Sequence, residues 1–207
     1  MAMLVLLFHA TKQKLYHCVI STLKKCVMQT EINKALATLK QGGIILYPSD
    51  TIWGIGCDAT NTKAIAKVFK LKKRVDSKAL ISLVASKQQL KSITETIPDL
   101  DITSNPTTII YPNVKGLGEN LLAKNGSAAI RIVQDEFCQK LILSFGKAII
   151  STSANISGEM APKQFSEISK EIKNNVDYIV NLRQNKLMST PSSILIINED
   201  TSITKIR

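Results

Sequence analysis

The sequence predicts an α/β protein built on one mixed and largely buried sheet. Short apolar runs rich in β-branched residues recur along the chain, and they alternate with segments whose apolar residues are spaced by three and four. The first pattern is typical of buried strands, and the second is typical of helices with one buried face. The 207 residues, 44% of them apolar, suffice for one domain with a substantial core.

Residues 1–28 combine a short apolar run with a basic segment that contains cysteine. We predict them to form an extension ahead of a domain at residues 29–207, and a strand, a helix or an irregular start are all compatible with this extension. The apolar run at residues 3–8 is too short for the core of a signal peptide, and no basic residue precedes it. Because no apolar run approaches the span of a bilayer, we expect a cytoplasmic protein without a membrane segment.

The first predicted strand follows directly on a predicted helix. From Glu31 the apolar residues have helical spacing, and the glycine pair at 42–43 ends that helix. Residues 44–47 are apolar and predict a buried strand. Pro48 closes the strand because it cannot donate a ladder hydrogen bond.

The residues after this strand are the strongest local signal of a site. Residues 49–51, Ser-Asp-Thr, place three oxygen-bearing side chains in a predicted polar turn. Gly54 and Gly56 then allow backbone or a ligand to approach closely. An ordinary transition from strand to loop would explain the same residues.

The next predicted helix ends in a basic segment. Asn61 or Thr62 caps it, and Ile65 lies on its apolar face. Lys72 lies seven residues beyond Ile65 and therefore on the same face, which indicates a side chain that points to the interior or into a cleft. Alternatively, the basic residues from Lys70 to Arg74 only complement the dipole at the helix C-terminus.

Strands are also predicted at residues 79–85, 107–111 and 128–133. The last of these is apolar on both sides of Arg131. Alternation places Arg131 on the face opposite Ile130 and Ile132, and a charge inside such a strand needs a partner. This pattern favours a bound anion.

The C-terminal third predicts a second polar site. A helix begins at residues 135–136, and a buried strand at 148–150 runs directly into Ser-Thr-Ser-Ala-Asn at 151–155. These neutral hydrogen-bonding groups suit phosphate or carboxylate oxygens, although a loop that merely caps the next helix would also use them. The remaining predicted elements are a helix after Pro162 that carries Phe165, Ile168 and Ile172, strands at 178–182 and 193–197, and a final segment at 203–207.

Composition and motif spacing exclude several function classes. His9 and His17 are the only histidines and lie outside every patterned segment, which leaves little room for histidine-based catalysis or a histidine metal site. The four cysteines show no C-x-x-C spacing, and no P-loop motif is present. The relaxed dinucleotide fingerprint at residues 54–59 begins too far beyond Pro48 to form the strand-to-helix turn. The net charge of +11 indicates an anionic partner or only a very soluble surface.

Taken together, five groups of residues resemble a known family, the Sua5/YciO/YrdC family, and they occur in its order. They are Tyr47–Thr51 with Trp53, Gly54 and Gly56; Lys72-Lys73-Arg74 as a K-x-R motif; Asn105–Thr108; Ile130–Ile132; and Ser151–Asn155 with Ser157 and Gly158. The resemblance covers residues 29–207, and the joint occurrence of K-x-R with S-T-S-A-N is more specific than any single motif. The chain is similar to the short, single-domain type of member.

The resemblance implies a YrdC-like domain, a twisted mixed sheet flanked by helices with a basic concave cleft. It implies an L-threonylcarbamoyladenylate synthase, a nucleotidyltransferase that combines L-threonine, bicarbonate and ATP and releases pyrophosphate. Mg²⁺ is expected on the ATP phosphates, with no metal held by protein side chains. The product would pass to a downstream threonylcarbamoyl-transferase complex that modifies tRNA. A site rich in lysine, arginine and hydroxyl groups suits catalysis by positioning and charge stabilisation.

The resemblance also implies roles for individual residues. Lys72 and Arg74 would be catalytic and face the phosphates. The residues implied along the nucleotide are Arg74, Lys78, Ser127, Ser153, Asn155 and Arg207. The residues implied to hold L-threonine are Thr51, Arg131, Ser151 and Ser193, with Arg131 on the carboxylate. The chain departs from the usual family pattern at Ser49, Trp53, Leu83 and Asn105.

Two other functions remain open. The basic concave face could bind tRNA or double-stranded RNA directly, although aromatic residues make up only 5% of the chain and no RNP motif appears. A YciO-like relative would keep the nucleotide site and use another acceptor. Dependence of ATP turnover on threonine distinguishes the synthase from both, and steep salt dependence of binding would indicate RNA.

Overall fold

The computed structural model describes residues 2–73, 80–100 and 105–207, with residues 2–17 described only as helical backbone. The helices are α1 (Ala2–Lys40), α2 (Thr62–Leu71), α3 (Lys87–Lys91), α4 (Glu136–Phe145) and α5 (Lys170–Asn174). The strands are β1 (Ile45–Pro48), β2 (Trp53–Gly56), β3 (Ile81–Val84), β4 (Thr107–Tyr111), β5 (Ala128–Ile132), β6 (Ile149–Ser153), β7 (Tyr178–Ile179), β8 (Ser193–Ile197) and β9 (Ile203–Lys205). Two 3₁₀ turns lie at Glu119–Leu121 and Phe165–Glu167.

The nine described strands form one sheet in the order β7-β1-β2-β6-β3-β5-β4-β8-β9. The pairs β1–β7, β3–β5 and β4–β8 are parallel, and the other neighbours are antiparallel. The predicted mixed sheet is therefore confirmed. Along β1, Leu46 faces an apolar cluster that includes α2 and α3, whereas Ile45 and Tyr47 face a second cluster that includes α1 and α4. Helices thus cover both faces, and most of the sheet is buried.

The N-terminal segment forms one long helix, which was one of the three starts compatible with the sequence. The helix predicted from Glu31 is the C-terminal part of α1, and Gly42 ends it with a φ of +71° that favours glycine. The Glu31 carboxylate accepts hydrogen bonds from the Tyr178 hydroxyl and the Asn181 N–H, each at 2.6 Å. These bonds fix α1 to the edge of the sheet. The predicted division between residues 28 and 29 falls inside α1, and that division stays a prediction.

The segment Trp53–Gly56, for which the sequence predicts no strand, is the strand β2. Tyr47 lies opposite Gly54 in the β1–β2 hairpin, and residues 49–52 form the connection. A Cβ atom on Gly56 would lie 2.5 Å from the Ile150 carbonyl oxygen and 2.7 Å from the Tyr47 ring. Gly56 is therefore required by the close approach of β6 and of the Tyr47 ring, since no side chain fits between them.

Two predicted elements beyond Pro162 are too long. The single helix predicted there is divided into a 3₁₀ turn with Phe165 and the short helix α5, because the Ser169 side chain accepts the N–H of Ile172 and starts a new helix. The strand predicted at 178–182 is limited to β7, the part that pairs with β1. None of the helices in the described part of the chain combines the length and apolarity that a membrane span requires.

Candidate active site

Arg131 is the central charged group beside the β1–β2 turn. Its side chain is only 2% exposed, and β5 carries it next to the β1–β2 turn. Its Nη2 lies 3.0 Å from Asp50 Oδ1 and 3.4 Å from Thr51 Oγ1. The expectation that this charge needs a partner is confirmed, and within the chain the partner is the Asp50 carboxylate. The predicted bound anion remains a prediction.

The turn that presents Thr51 is built by its own side chains. Ser49 Oγ accepts the Thr51 N–H at 3.2 Å and donates to the Ile52 carbonyl at 2.8 Å. The same oxygen lies 3.0 Å from Thr51 Oγ1. A Ser hydroxyl that bonds the backbone two residues on is a standard way to fix such a turn. Ser49, although a departure from the family pattern, therefore supports Thr51 directly.

Tyr47 and Ser151 lie beside this turn. The Tyr47 hydroxyl donates to the Ile150 carbonyl at 3.0 Å, and burial raises the pKa of Tyr47 well above its ordinary value. Tyr47 is thus a neutral, fixed donor. Ser151 is 7% exposed, and a Cβ on Gly54 would lie 3.1 Å from its Oγ. The glycine leaves room for the Ser151 hydroxyl.

Lys72 follows α2 and joins it to the S-T-S-A-N segment. Its side chain is buried, and its Nζ donates to the carbonyl oxygens of Ser153 at 2.6 Å and Asn155 at 2.7 Å. The prediction that Lys72 points inward is confirmed. The alternative, that the basic residues here only complement the helix dipole, is wrong for Lys72, because its Nζ binds carbonyl groups of another segment. Lys73 is exposed instead, and its Nζ lies 2.8 Å from Glu171.

The segment Ser151–Ser153 is not a loop but the end of strand β6, because it pairs with β2 on one side and β3 on the other. Asn155 follows the strand and is held by its own amide, whose Nδ2 donates to the carbonyl oxygens of Ile156 and Glu159. Asn155 Oδ1 is buried and accepts no hydrogen bond from the described residues. A buried acceptor without a donor is costly, and a ligand hydroxyl or amino group would satisfy it.

The other predicted site residues that the structure describes are Ser127, Ser193 and Arg207. Ser127 Oγ donates to Asn125 Oδ1 at 2.8 Å, and Ser193 begins β8 opposite Thr107. The Arg207 guanidinium donates to the Ser192 carbonyl, from Nε at 3.2 Å and from Nη2 at 3.0 Å, which places it beside Ser193. Arg74 and Lys78 lie outside the described residues.

Three residues that depart from the family pattern have the following local surroundings. Trp53 is fully buried, and its ring centroid lies 5.0 Å from that of Phe165. Leu83 is opposite Arg131 in the β3–β5 pair and packs in the cluster with α1 and α4. The Asn105 carbonyl accepts the Thr107 hydroxyl at 3.0 Å just before β4.

For Asp50 and Arg183, which lie near the site, the sequence predicts no specific role. Asp50 is part of the Ser-Asp-Thr signal, but its pairing with a residue of β5 cannot be read from spacing. Arg183 binds both oxygens of Asp135 at 2.6 and 2.9 Å, and its Nη1 lies 3.5 Å from the Ser49 carbonyl. Burial lowers the pKa of Arg183, but the hydrogen bond and ion pair with Asp135 outweigh burial and raise it overall. Within the described ranges no group of three or more histidine, cysteine or acidic side chains could hold a metal ion.

Comparison with known proteins identifies a matching family and related sequences. A family model named Sua5/YciO/YrdC and described as telomere recombination matches residues 37–207. The threonylcarbamoyl-AMP synthase of Psychromonas ingrahamii is 35% identical over 155 residues, which make up 71% of this chain and 81% of the relative.

Solved structures share the fold. Sua5 of P. abyssi, solved in complex with L-threonine, superposes with a TM-score of 0.76 and 22% identity, covering 85% of this chain and 53% of that chain. YciO of E. coli superposes with a TM-score of 0.74 and 21% identity, covering 86% of this chain and 89% of that chain. The predicted α/β fold is thereby confirmed.

Proposed function

Because the chain belongs to the Sua5/YciO/YrdC family, we propose that it is an L-threonylcarbamoyladenylate synthase, an enzyme of the nucleotidyltransferase class. Relatives of about one-third identity are named threonylcarbamoyl-AMP synthase, which is the same adenylate-forming activity. The reaction combines L-threonine with bicarbonate to give a carbamate and water. A carbamate oxygen then attacks the α-phosphate of ATP, and pyrophosphate leaves. No covalent intermediate with the protein is needed.

The threonine end of the site, which we define as Thr51, Arg131 and Ser151, binds the amino acid. Arg131 offers a buried positive charge for the carboxylate, and a guanidinium recognises that group well. The hydroxyl groups of Thr51 and Ser151 supply neutral hydrogen bonds nearby. Ser193 would complete this end from β8.

The nucleotide end of the site, which we define as Lys72, Ser127, Ser153, Asn155 and Arg207, lies along ATP. Lys72 holds the backbone of Ser153 and Asn155 in place and brings positive charge to the phosphates. Arg74 and Lys78 would add to this charge. Because the charge that develops in phosphoryl transfer lies on the phosphate oxygens, catalysis by such groups is positioning and electrostatic stabilisation.

Mg²⁺ would enter with ATP, on its phosphates. The groups at the nucleotide end are lysine, arginine, hydroxyl and amide, and this donor set suits phosphate oxygens better than a divalent cation. The ion would neutralise phosphate charge and leave binding of the nucleotide to the protein. The adenylate product would pass to a threonylcarbamoyl-transferase complex that acts on tRNA.

One observation carries this proposal: the lysine of the K-x-R motif and the S-T-S-A-N segment, 81 residues apart, are joined directly by the Lys72 Nζ bond to Ser153. The experiment is pyrophosphate release from ATP with Mg²⁺ and bicarbonate, with and without L-threonine, with L-serine as the control amino acid. Release that requires both threonine and bicarbonate is the expected result. ATP binding without any effect of threonine would favour a YciO-like enzyme with another acceptor, and absence of ATP binding would favour the RNA-binding alternative.

A further inference from the structure

Asp50 connects three parts of the chain around Arg131. Its Oδ1 accepts from Arg131 Nη2 at 3.0 Å, and its Oδ2 accepts from the Gln134 N–H at 3.2 Å. Gln134 follows β5, whereas Asp50 lies in the β1–β2 turn. The two oxygens of one carboxylate therefore fix the turn to the end of the strand that carries Arg131.

Burial makes this pair more than an ordinary surface ion pair. The side chains are 2% exposed for Arg131 and 6% for Asp50. A charge removed from water to this extent is costly unless a partner of opposite charge accompanies it. Asp50 supplies that partner when no substrate carboxylate is bound.

Arg131 nevertheless keeps a donor for a ligand. Its Nε is buried and has no hydrogen-bond partner among the described residues. Asp50 and Thr51 both contact Nη2, on another nitrogen of the guanidinium. The Nε–H is therefore removed from water and has no acceptor in the part of the chain that the structure describes.

We propose that Asp50 is a positioning residue that keeps Arg131 charge-balanced and oriented, so that its Nε–H can donate to the carboxylate of the amino-acid substrate. This inference rests on the proposed function for the identity of the substrate. The geometry of the Asp50–Arg131 pair is independent of the proposed function. Asp50 acts through Arg131 and need not touch the substrate.

The neighbouring pair of Arg183 and Asp135 provides a matched control. It is also an arginine–aspartate pair beside the β1–β2 turn, but its side chains are 26% and 11% exposed. Asp135 also caps α4 by accepting the Cys138 N–H at 2.9 Å, and asparagine is an equally good cap. Asp135→Asn thus removes a comparable charge close by while leaving Arg131 and Asp50 in place.

The first measurement is steady-state kinetics of Asp50→Asn and Asp135→Asn. Loss of a hydrogen bond between charged groups is expected to raise the KM for L-threonine about 10- to 100-fold in Asp50→Asn. The KM for ATP should stay unchanged, and Asp135→Asn should match the wild type in both constants. Asp50→Glu, which keeps the charge, should recover part of the loss. Equal effects of Asp50→Asn and Asp135→Asn on threonine would overturn the inference.

The second measurement needs no activity. In ¹⁵N-labelled protein the Nε–H signal of Arg131, assigned by its loss in Arg131→Lys, should exchange slowly with water and should shift or broaden in Asp50→Asn and not in Asp135→Asn. An unchanged signal in Asp50→Asn would contradict the positioning role. If Asp50→Asn fails to fold, Asp50→Glu, which keeps the charge but moves the carboxylate, should give a smaller rise in the KM for L-threonine and a smaller shift of the same signal, and no change in either would contradict the positioning role. If the wild type shows no threonine-dependent turnover, the proposed function fails while this signal still decides the role of Asp50.

Discussion

The two ends of the site differ in how completely the chain forms them without a ligand. At the threonine end, Arg131 is 2% exposed and Thr51 and Ser151 are each 7% exposed, and side-chain bonds connect Arg131 with the turn. At the nucleotide end, Ser127, Ser153 and Asn155 are only half-buried and Arg207 is exposed.

On the proposed assignment of these residues, this difference predicts that the two substrates are bound in different ways. A small amino acid can enter a pocket whose partners are already fixed, and it then loses little to ordering of the protein. A nucleotide is larger and must collect groups from the ends of several elements. Lys72 is the exception at the nucleotide end, because it is buried and fixes the backbone there.

The largest effect is expected for Lys72→Met, which tests whether that fixed backbone matters. The change removes two buried hydrogen bonds from a charged group, each worth about 2 kcal/mol, so kcat/KM should fall about a thousandfold. The measurement is threonine-dependent pyrophosphate release. Lys73→Met, one residue along and exposed, is the control and should behave as the wild type. Near-normal turnover in Lys72→Met would mean that the nucleotide end does not depend on this anchor.

A change at Gly56 tests the packing under the threonine end. The Cβ of Gly56→Ala would meet the Ile150 carbonyl at 2.5 Å, where only backbone could yield. We expect a loss of about 2 kcal/mol in the free energy of unfolding, measured by urea denaturation. Gly54→Ala is the matched variant, because its nearest neighbour is the Ser151 hydroxyl at 3.1 Å, which can rotate. An equal loss in both variants would contradict the account given for Gly56.

Much of the fold and part of the site can be predicted from the sequence, because local patterns determine them. The buried strands β4 and β5 appear as apolar runs, and the inward position of Lys72 follows from its spacing after Ile65. The cap of α2 is also local, since Asn61 Oδ1 accepts the N–H groups of Lys63 and Ala64. Periodicity and capping report on neighbours in the chain, and they succeed where neighbours decide.

Other features depend on contacts between distant segments. Asp50 meets Arg131 across 81 residues, and no spacing rule contains that pairing. The sequence does not predict the strand β2, because glycines are typical of turns. The two glycines of β2 are explained by the close approach of Tyr47 and of β6. The long helix α1 mixes apolar and basic residues without a sharp apolar face, and only its last part shows the usual pattern.

A pair of smaller changes sharpens the contrast between the two substrates. Thr51→Val keeps the shape of the side chain and removes the hydroxyl near Arg131, so the KM for L-threonine should rise about tenfold with the KM for ATP unchanged. Ser127→Ala should have the reverse selectivity, with a smaller effect because this side chain is half-buried. Steady-state kinetics with each substrate varied in turn gives both constants. Changes in both constants in either variant would mean that the two ends are not independent.

The smallest expected effect is on the free energy of unfolding at alkaline pH. It distinguishes a tyrosine that is only buried in the core from one that also supports the site. Burial raises the pKa of Tyr111 to about 12 from an ordinary value of 10.0, and it also raises the pKa of Tyr47. Each raised pKa means that the folded state holds its proton more tightly than the unfolded state does. The stability from these protons is complete below pH 10 and is lost as the pH rises from about 10 through the folded pKa.

Tyr111→Phe should therefore remove part of this pH dependence, by about 1 kcal/mol at pH 11, as judged from urea midpoints at pH 8 and pH 11. Tyr111 lies on β4, outside both ends of the site, so the variant should keep its KM for both substrates. Tyr47→Phe should also flatten the alkaline loss, but it removes the donor to the Ile150 carbonyl beside the threonine end. A raised KM for L-threonine in Tyr47→Phe and not in Tyr111→Phe would show that only Tyr47 contributes to the site. An equal loss of unfolding free energy at high pH in the wild type and both variants would mean that other groups titrate.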